Sequence, residues 1–326
     1  MKKTAVSSIL LAVLALLPLA CSYSNVPYGP VAGGGHYHPP STPVANPTYA
    51  IPTPPYKTSW GTAGGPNALA FGMGTTVYVA EADGNVALVE VFDSSNPVAP
   101  LAQWTGFGSV SFGWPGGVAV NPVNTNVYVA DNLNNAVYEF TPAGVTVASW
   151  SGYGSLPFNA PEGIAADASG NIYLADTGNN EVEEFDSNGN PLHEWSGGGG
   201  TNFFQPSAVA LDASGNVVVA DAGNERIAKF TSGGVSFLGA WPAVNYADIF
   251  GIALDGSGNV YAADYGDGTP YNGNGLMEEY DSSGHVLAVW GSTTGSQPFG
   301  PDGVVLSGSD IYVADYNNNL IQVFGP

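Results

Sequence analysis

The segment GNIYLADTGNNEVEEF, residues 170–185, occurs in six versions along the chain. The other five lie at residues 75–92, 125–140, 215–230, 258–280 and 309–324, so that successive copies begin 43 to 51 residues apart. A period of this length is typical of arrays built from one supersecondary unit, because each unit can bury its apolar face only against its neighbours. The sequence therefore predicts one repeat domain of six units.

Within one copy the apolar residues recur with a period of two. In GNIYLAD, Ile172 and Leu174 share one face of an extended strand, and EVEEF alternates again with Val182 and Phe185 as its apolar residues. The intervening TGNN has the composition of a tight turn. Another short apolar segment precedes every copy, as in PEGIAADASGN at residues 161–171. The sequence therefore predicts an all-β domain with about four short strands in each unit.

The last strand of each unit ends in tryptophan. This register suits aromatic packing between neighbouring sheets. The sixth unit stops near Phe324, before it can form this strand, and YKTSWGTAG (56–64) supplies the missing pattern with Trp60. We therefore predict a six-bladed β-propeller in which the N-terminal strand around Trp60 completes the C-terminal blade and closes the ring. The other five tryptophans in this register are Trp104, Trp150, Trp195, Trp241 and Trp290.

A resemblance to a known repeat supports this fold. The string FNAPEGIAAD (158–167), followed by GNIYLADTGNNEV, resembles the NHL repeat of six-bladed β-propellers, and the resemblance covers residues 57–326. NHL units usually carry a basic residue after the Asn pair. In this chain only Arg226 conforms, whereas Ala136, Glu181 and Leu320 take that place in other units. The departure removes the basic ring that nucleic-acid-binding members of the family would need.

The charge composition points in the same direction. The chain has 27 Asp and Glu against five Lys and Arg, which gives a formal net charge of −22 at pH 7. Such a surface repels phosphate backbones, so nucleic acid is not expected as a partner. Cations, amines and basic protein surfaces are favoured instead.

Residues 1–20 have the organisation of an export signal, with two lysines, an apolar run and small residues. The run ends at LPLAC (17–21), which resembles the lipobox of bacterial lipoproteins, with Pro18 where leucine is usual. The resemblance implies a lipid on Cys21, the only cysteine in the chain, and ordinary signal-peptidase cleavage is the alternative. We expect a bacterial outer-membrane or cell-surface lipoprotein that meets the membrane through this lipid only, with the periplasm as the alternative location.

Residues 21–56 differ in character from the repeats. Nine prolines and little periodicity in residues 22–56 predict an extended spacer. His36 and His38 could chelate a metal ion, although two imidazoles without a third ligand are more often solvated. The predicted domains are therefore a signal peptide (1–20), a lipidated cysteine with a proline-rich tether (21–56) and a propeller (57–326), which we expect to be a monomeric domain.

Two sets of carboxylates recur between blades, which favours a structural role for them. The first set ends the second strands, and we predict that it caps the following Gly/Asn turns through backbone N–H groups. Its members are Glu81, Asp131, Asp176, Asp221, Asp264 and Asp315. The second set precedes Gly-Asn pairs and is predicted to bond the hairpin backbone. Its members are Asp167, Asp212 and Asp255.

Residues that vary between blades are better candidates for function. The position between Pro and Gly at the start of the first strand holds Asn67, Glu162 and Asp302 in blades one, three and six. Blades three and six are opposite in a ring of six, so we expect Glu162 and Asp302 to face each other across the channel mouth. Two carboxylates with Asn67 nearby could hold a hard cation such as Ca²⁺, which takes oxygen ligands. Two solvated acids at a wet pore are the alternative.

Blade five carries one long insertion, DYGDGTPYNGNG (264–275). Asp264, Asp267, Asn272 and Asn274 offer oxygens there that could bind an ion or contact a partner. The spacing does not fit the D-x-[DN]-x-[DN]-G calcium loop, and a decorated loop without an ion is the alternative.

No catalytic residue is assigned. The propeller segment has only His193 and His285, both near third-to-fourth strand connections, and no serine has a nucleophile-elbow context. The favoured hypothesis is a non-enzymatic interaction module for an envelope or extracellular protein or glycan. The second is a metal-dependent hydrolase or lyase of the gluconolactonase-like propeller type, a resemblance of residue type that implies a metal held by Glu162 and Asp302. The third is a structural component of the envelope or extracellular matrix.

Overall fold

The structure, a computed structural model, describes residues 54–244, 248–266, 275–291 and 297–325. These residues form six four-stranded antiparallel sheets. The first strand of each sheet contacts the first strands of the two neighbouring sheets, and the contacts close into a ring. The fold is therefore the six-bladed β-propeller expected from the repeat. Within the described ranges, no helix is long and apolar enough to span a membrane.

The strands of each blade run from the central channel outward, and we number them first to fourth. Blade one consists of Pro66–Phe71, Thr76–Ala82, Ala87–Asp93 and Ala102–Trp104. Blade two consists of Pro115–Val120, Val127–Asp131, Ala136–Phe140 and Thr146–Trp150. Blade three consists of Pro161–Ala166, Ile172–Asp176, Glu181–Phe185 and Pro191–Trp195.

The second half of the ring repeats the same order. Blade four consists of Pro206–Leu211, Val217–Asp221, Arg226–Phe230 and Phe237–Pro242. Blade five consists of Ile249–Leu254, Val260–Asp264, Leu276–Tyr280 and Val286–Trp290. Blade six consists of Pro301–Ser307, Asp310–Asp315, Leu320–Phe324 and, as its fourth strand, Tyr56–Gly61.

Smaller elements decorate the connections. Three short hairpins follow the fourth strands of blades one to three, and they pair Gly106–Phe107 with Val110–Ser111, Gly152–Tyr153 with Leu156–Pro157, and Gly197–Gly198 with Thr201–Asn202. Within the part of the chain that the structure describes, the short 3₁₀ helices are Ala222–Asn224, Ser232–Gly234 and Tyr316–Asn318.

The ring closes as predicted. Tyr56–Gly61 pairs antiparallel with Leu320–Phe324, and Trp60 lies opposite Ile321 in that register. The first and last described strands share one sheet, so the N-terminal strand supplies the fourth strand that blade six would otherwise lack. Closure of this kind removes an exposed sheet edge that would otherwise invite pairing with another chain.

The fourth-strand tryptophans hold neighbouring blades together. Each one packs on the third-strand aromatic residue of the next blade, with ring centroids 5.2 to 6.3 Å apart. Trp150 also lies against the turn glycine of blade three, Gly189, where a Cβ would sit 2.9 Å from the indole and φ is +79°. Glycine is required at this turn for both reasons. The repeated tryptophan is thus confirmed as inter-blade packing.

Neighbouring blades cover both faces of each sheet. In blade three every residue of Ile172–Asp176 is buried, and so are Val182 and Phe185 of the third strand. The alternation predicts this burial for the apolar side chains. It does not predict the burial of Glu183 and Glu184, which lie between these two residues and are each only 2% exposed. An alternating strand is usually covered on one face only.

Candidate functional site

The mouth is the face of the ring where second strands end and first strands begin, and carboxylates organise it. Asp176 accepts hydrogen bonds from the backbone N–H of Asn159 (2.8 Å) and from Nδ2 of Asn179 (2.7 Å). Asp131 accepts from the backbone N–H groups of Gly113 and Trp114, both at 2.9 Å. The structural role predicted for these acids is therefore confirmed.

The donors to these acids differ from the expected ones in part. The prediction assigned the donors to the Gly/Asn turn that follows each acid. That turn does contribute one donor to Asp176, the side-chain amide of Asn179. The backbone donors, however, lie mainly in the loop that enters the first strand, as Phe204 does for Asp221 and Gly64 for Glu81. The acids thus tie two loops together, and a sequence period cannot show a contact between segments 17 residues apart.

The second set of aspartates behaves as predicted. Asp167 Oδ1 accepts from the backbone N–H groups of Ser169 and Asn171, both at 2.8 Å, and Oδ2 accepts from Asn171 Nδ2 at 3.1 Å. Asp212 and Asp255 make the same contacts in their hairpins. These carboxylates are occupied by the turn on the face away from the mouth.

The variable first-strand positions lie at the mouth. Glu162 is half-buried and accepts from Asn132 Nδ2 at 3.1 Å. Asp302 is half-buried at the equivalent position of the opposite blade, and its strand packs against the strand of Asn67. Asn67 is 5% exposed, and its Nδ2 donates to the carbonyl of Pro115 at 3.3 Å. Its Oδ1 is buried and has no hydrogen-bond partner among the described residues.

The blade-five insertion is described at its base only. Asp264 ends the second strand, is 3% exposed and accepts from the backbone N–H of Gly266 at 2.7 Å. Asp267, Asn272 and Asn274 lie outside the described residues.

An aromatic cluster crosses blades five and six at the mouth. The rings of Phe250 and Tyr265 are 5.8 Å apart, and those of Tyr265 and Tyr316 are 6.2 Å apart, all edge to face. Two glycines make room for the tyrosines. A Cβ on Gly65 would lie 2.4 Å from the Tyr316 ring, and one on Gly300 would lie 3.1 Å from the Tyr265 ring. Each tyrosine therefore extends onto the loop of the next blade.

Asp302 lies beside these tyrosines and changes their acidity. Burial, followed by the charge of Asp302, raises the pKa of Tyr265 and raises that of Tyr316 to about 12. Both phenols therefore stay neutral near pH 7, and the hydroxyl of Tyr265 donates to Oδ1 of Asn317 at 2.8 Å. We call Phe250, Tyr265, Tyr316 and Asp302 the mouth cluster. It combines aromatic faces with a carboxylate, which suits a planar apolar ring or a cationic group.

Sequence reasoning missed the two tyrosines, although a signal was present. The residue directly after the second-strand acid differs between blades, and only blades five and six place an aromatic residue there. The residues at this position are Ala82, Asn132, Thr177, Ala222, Tyr265 and Tyr316.

The histidines of the propeller lie away from the mouth. His193 is in the fourth strand of blade three, where Nδ1 is 2.7 Å from Glu184 Oε2. His285 directly precedes the fourth strand of blade five, where Nδ1 is 2.9 Å from Asp281 Oδ2. Neither imidazole is placed to act as a base on a ligand at the mouth cluster.

Comparisons with known proteins agree on the fold. The family model of the NHL repeat matches residues 158–185, 203–230 and 300–324, which lie in blades three, four and six. No curated protein sequence matches the chain.

Solved structures with this architecture have varied activities. A virginiamycin B lyase from Staphylococcus aureus is 12% identical, covers 82% of this chain and 98% of its own, and has a TM-score of 0.62. A gluconolactonase from Xanthomonas campestris is 14% identical over 82% of this chain and 88% of its own, with a TM-score of 0.64. A chain of the nidogen/laminin complex is 17% identical over 69% of this chain and 79% of its own, with a TM-score of 0.55. At such identities the likeness concerns the fold alone.

Proposed function

We propose that this chain, an NHL-repeat protein folded as a six-bladed β-propeller, is a non-enzymatic binding module of the bacterial cell envelope. The observation that carries the proposal is the mouth cluster, in which Tyr265 and Tyr316 extend over glycines of the next blade beside Asp302. Binding sites commonly combine a few aromatic faces with convergent polar groups in this way.

The chemistry of the mouth cluster favours a glycan that carries neutral or amino sugars. The aromatic faces can pack on the apolar face of a sugar ring, and Asp302 can accept hydrogen bonds from its hydroxyl or ammonium groups. The formal charge of −22 disfavours an anionic ligand. A basic envelope protein would offer similar cationic groups, and the experiment separates the two.

Binding of soluble peptidoglycan fragments, amino-sugar oligosaccharides and a lysine-rich peptide should be compared by calorimetry. We expect saccharide binding that Tyr316→Ala and Asp302→Asn each weaken by about tenfold or more, as expected for an anchor residue. Tyr56→Ala is the matched control, because Tyr56 is 44% exposed in the fourth strand of blade six. Binding of the lysine-rich peptide alone would indicate a protein partner, and unchanged binding in Tyr316→Ala would contradict the proposed site.

A metal-dependent hydrolase at the same mouth is the second candidate function. Two observations favour it: Glu162 lies beside Asn132, and Asn67 has a buried Oδ1 without a partner among the described residues. Glu162, Asp302 and Asn67 would be the oxygen ligands of a Ca²⁺ ion. Lactone hydrolysis that requires added Ca²⁺ and is lost in Glu162→Ala would support this candidate, and absence of turnover would remove it.

The envelope location in this proposal depends on Cys21. Radiolabelled palmitate should enter the wild-type protein but not Cys21→Ser, and the variant should move from the membrane fraction to the soluble fraction. A wild-type protein that stays soluble and unlabelled would contradict the anchor without affecting the binding site.

A further inference from the structure

One position of the third strand carries a buried glutamate in alternate blades. Glu90, Glu183 and Glu278 occupy it in blades one, three and five, and each is at most 2% exposed. A buried carboxylate needs hydrogen-bond donors or a cation, because its desolvation is otherwise uncompensated. The three blades can therefore be compared for how each acid is satisfied.

Blades one and five supply donors from protein groups. Glu90 Oε1 accepts from Nε2 of Gln103 at 2.6 Å, and Oε2 accepts from the backbone N–H of Ala63 at 3.2 Å. Glu278 Oε2 accepts from the hydroxyl of Tyr280 and from the backbone N–H of Val244 at 3.4 Å, whereas its buried Oε1 has no hydrogen-bond partner among the described residues.

Blade three places further acids around its buried glutamate instead. The fourth-strand neighbour of Glu183 is Glu194, at the position that Gln103 holds beside Glu90. Glu181 lies two residues earlier, on the same face of the strand. One carboxylate oxygen from each of the three lies within 4.8 Å of the other two. Glu183 Oε2 is buried and has no hydrogen-bond partner among the described residues.

The surrounding charges do not neutralise this group. Asp176 ends the neighbouring strand, and burial, followed by Asp176, Glu194 and Glu181, raises the pKa of Glu183 to about 9. His193 in the same fourth strand pairs with Glu184, which points to the opposite face of the sheet. Blade three thus surrounds its buried glutamate with further acids, whereas both oxygens of Glu90 and one oxygen of Glu278 accept from protein donors.

We infer that Glu181, Glu183 and Glu194 form a binding site for a hard divalent cation, Ca²⁺ in the first place, in the cleft between blades two and three. Oxygen atoms that each lie about 2.4 Å from one ion are at most about 4.8 Å apart, and the three oxygens of this cluster lie within that limit. An all-carboxylate set favours Ca²⁺ over Zn²⁺, which prefers nitrogen and sulfur ligands.

The position of the cluster provides access from solvent. Glu194 is exposed, Glu181 is half-buried and Glu183 is buried, so the three acids lead from the surface inward. Tyr153 of the neighbouring hairpin packs edge to face on Phe185, with ring centroids 5.8 Å apart, on the same face of the third strand as Glu183. Water can complete the six to eight ligands that Ca²⁺ takes.

The site should be tested on the mature, EDTA-treated protein by calorimetric titration with CaCl₂ and by thermal unfolding. We expect saturable binding and a rise in Tm of about 5 °C at a hundredfold excess over Kd. Glu183→Gln and Glu194→Gln should each weaken binding by about tenfold or more. Glu194 is exposed, so its variant keeps the fold intact. Glu278→Gln is the control for a buried acid in the same register.

The titration is repeated in Glu162→Ala so that a metal at the mouth is distinguished from one in blade three. Binding that persists in Glu162→Ala and is lost in Glu194→Gln supports the inference. Equal affinity in Glu194→Gln and the wild type overturns it, as does a wild-type Tm that does not respond to millimolar CaCl₂. In the latter case Glu183 holds a proton rather than a shared cation.

Discussion

Blades three and four share a backbone framework but differ in charge. Both end the second strand in an aspartate, Asp176 or Asp221, that accepts a backbone N–H from the loop before the first strand. Opposite that aspartate, blade four has Arg226 and blade three has Glu181. The guanidinium Nε of Arg226 donates to Asp221 at 2.6 Å, whereas blade three has three glutamates in one cluster.

The repeat therefore specifies the backbone geometry of every blade, whereas the balance of charged side chains differs from blade to blade. Blade four carries an internal cation that is part of the chain. Blade three has only acids in the corresponding cluster, so a proton or an external cation must balance it. The following predictions test this difference, from the largest expected effect to the smallest.

Removal of the internal cation should be the most damaging change. In Arg226→Met the buried carboxylate of Asp221, which is 0% exposed, loses its ion pair. Breaking one partner of a buried pair typically costs about 3 to 5 kcal/mol of unfolding free energy. Urea denaturation at pH 7 measures the loss, and the double variant Arg226→Met with Asp221→Asn should recover part of it. A loss below about 1 kcal/mol in the single variant would show that Arg226 does not balance the blade.

Blade one extends the comparison, because it joins two buried acids without a cation. Burial, followed by the hydrogen bond and charge of Glu90, raises the pKa of Glu81 from its ordinary value of 4.5 to about 9. Between these values the folded protein holds a proton that the unfolded chain releases. Stability is therefore fully present below pH 4.5 and falls as the pH rises toward 9, by at most about 1.4 kcal/mol per pH unit for this group.

Urea denaturation in EDTA between pH 5 and pH 9 measures this slope. Glu81→Gln should reduce the slope by at most about 1.4 kcal/mol per pH unit, since an amide does not titrate, while the part due to Glu183 remains. A wild-type stability that rises across this range would contradict the assignment.

The shared backbone framework predicts that alanine substitution of the turn glycine lowers the free energy of unfolding by the same amount in blades three and four. Gly189 and Gly234 have φ of +79° and +66°, and a Cβ at these positions would lie 2.9 Å from Trp150 and 2.2 Å from Trp195. Gly189→Ala and Gly234→Ala should each cost about 1 to 3 kcal/mol through strain and displaced packing. Gly215→Ala, with φ of +78° and open space around the Cβ, isolates the backbone part. Unequal losses would show that the framework itself differs between blades.

Conversion of blade three to the charge pattern of blade four should give the smallest change. In Glu181→Arg the guanidinium takes the place that Arg226 has and can pair with Asp176. We expect a gain of about 1 kcal/mol at pH 7 in EDTA, together with loss of the Ca²⁺-dependent rise in Tm. A variant that still gains stability from CaCl₂ would show that Glu181 is not part of the cation site.

Much of the architecture follows from local pattern. The six copies, the tryptophan at each fourth strand and the matching segment around Trp60 predict six blades and their closure, and Trp60 does lie opposite Ile321. A short carboxylate before a Gly-Asn pair is expected to accept hydrogen bonds from its own hairpin, and Asp167 accepts them from the backbone N–H groups of Ser169 and Asn171. These features are predictable because every interaction involved lies within one repeat or recurs with its period.

The candidate sites are less predictable, because each depends on groups from separate segments. Tyr265 and Tyr316 form one cluster because glycines of the following blades leave room for their rings. Glu162 and Asn67 were identified as variable positions, but their partners Asn132 and Pro115 lie in another blade. Variation between copies indicates where to look, and it does not show which side chains meet.

By itself the sequence determined the strand period, the number of blades, the closing strand and the turn chemistry, since these depend on residues close together in the chain. Only the tertiary structure decided which acids are buried and what balances them. In a propeller both faces of each sheet are covered by other blades, so an alternating strand such as Glu181–Phe185 has no solvent face. Whether Glu183 meets a donor, an arginine or another carboxylate depends on the neighbouring strand, and there it meets Glu194.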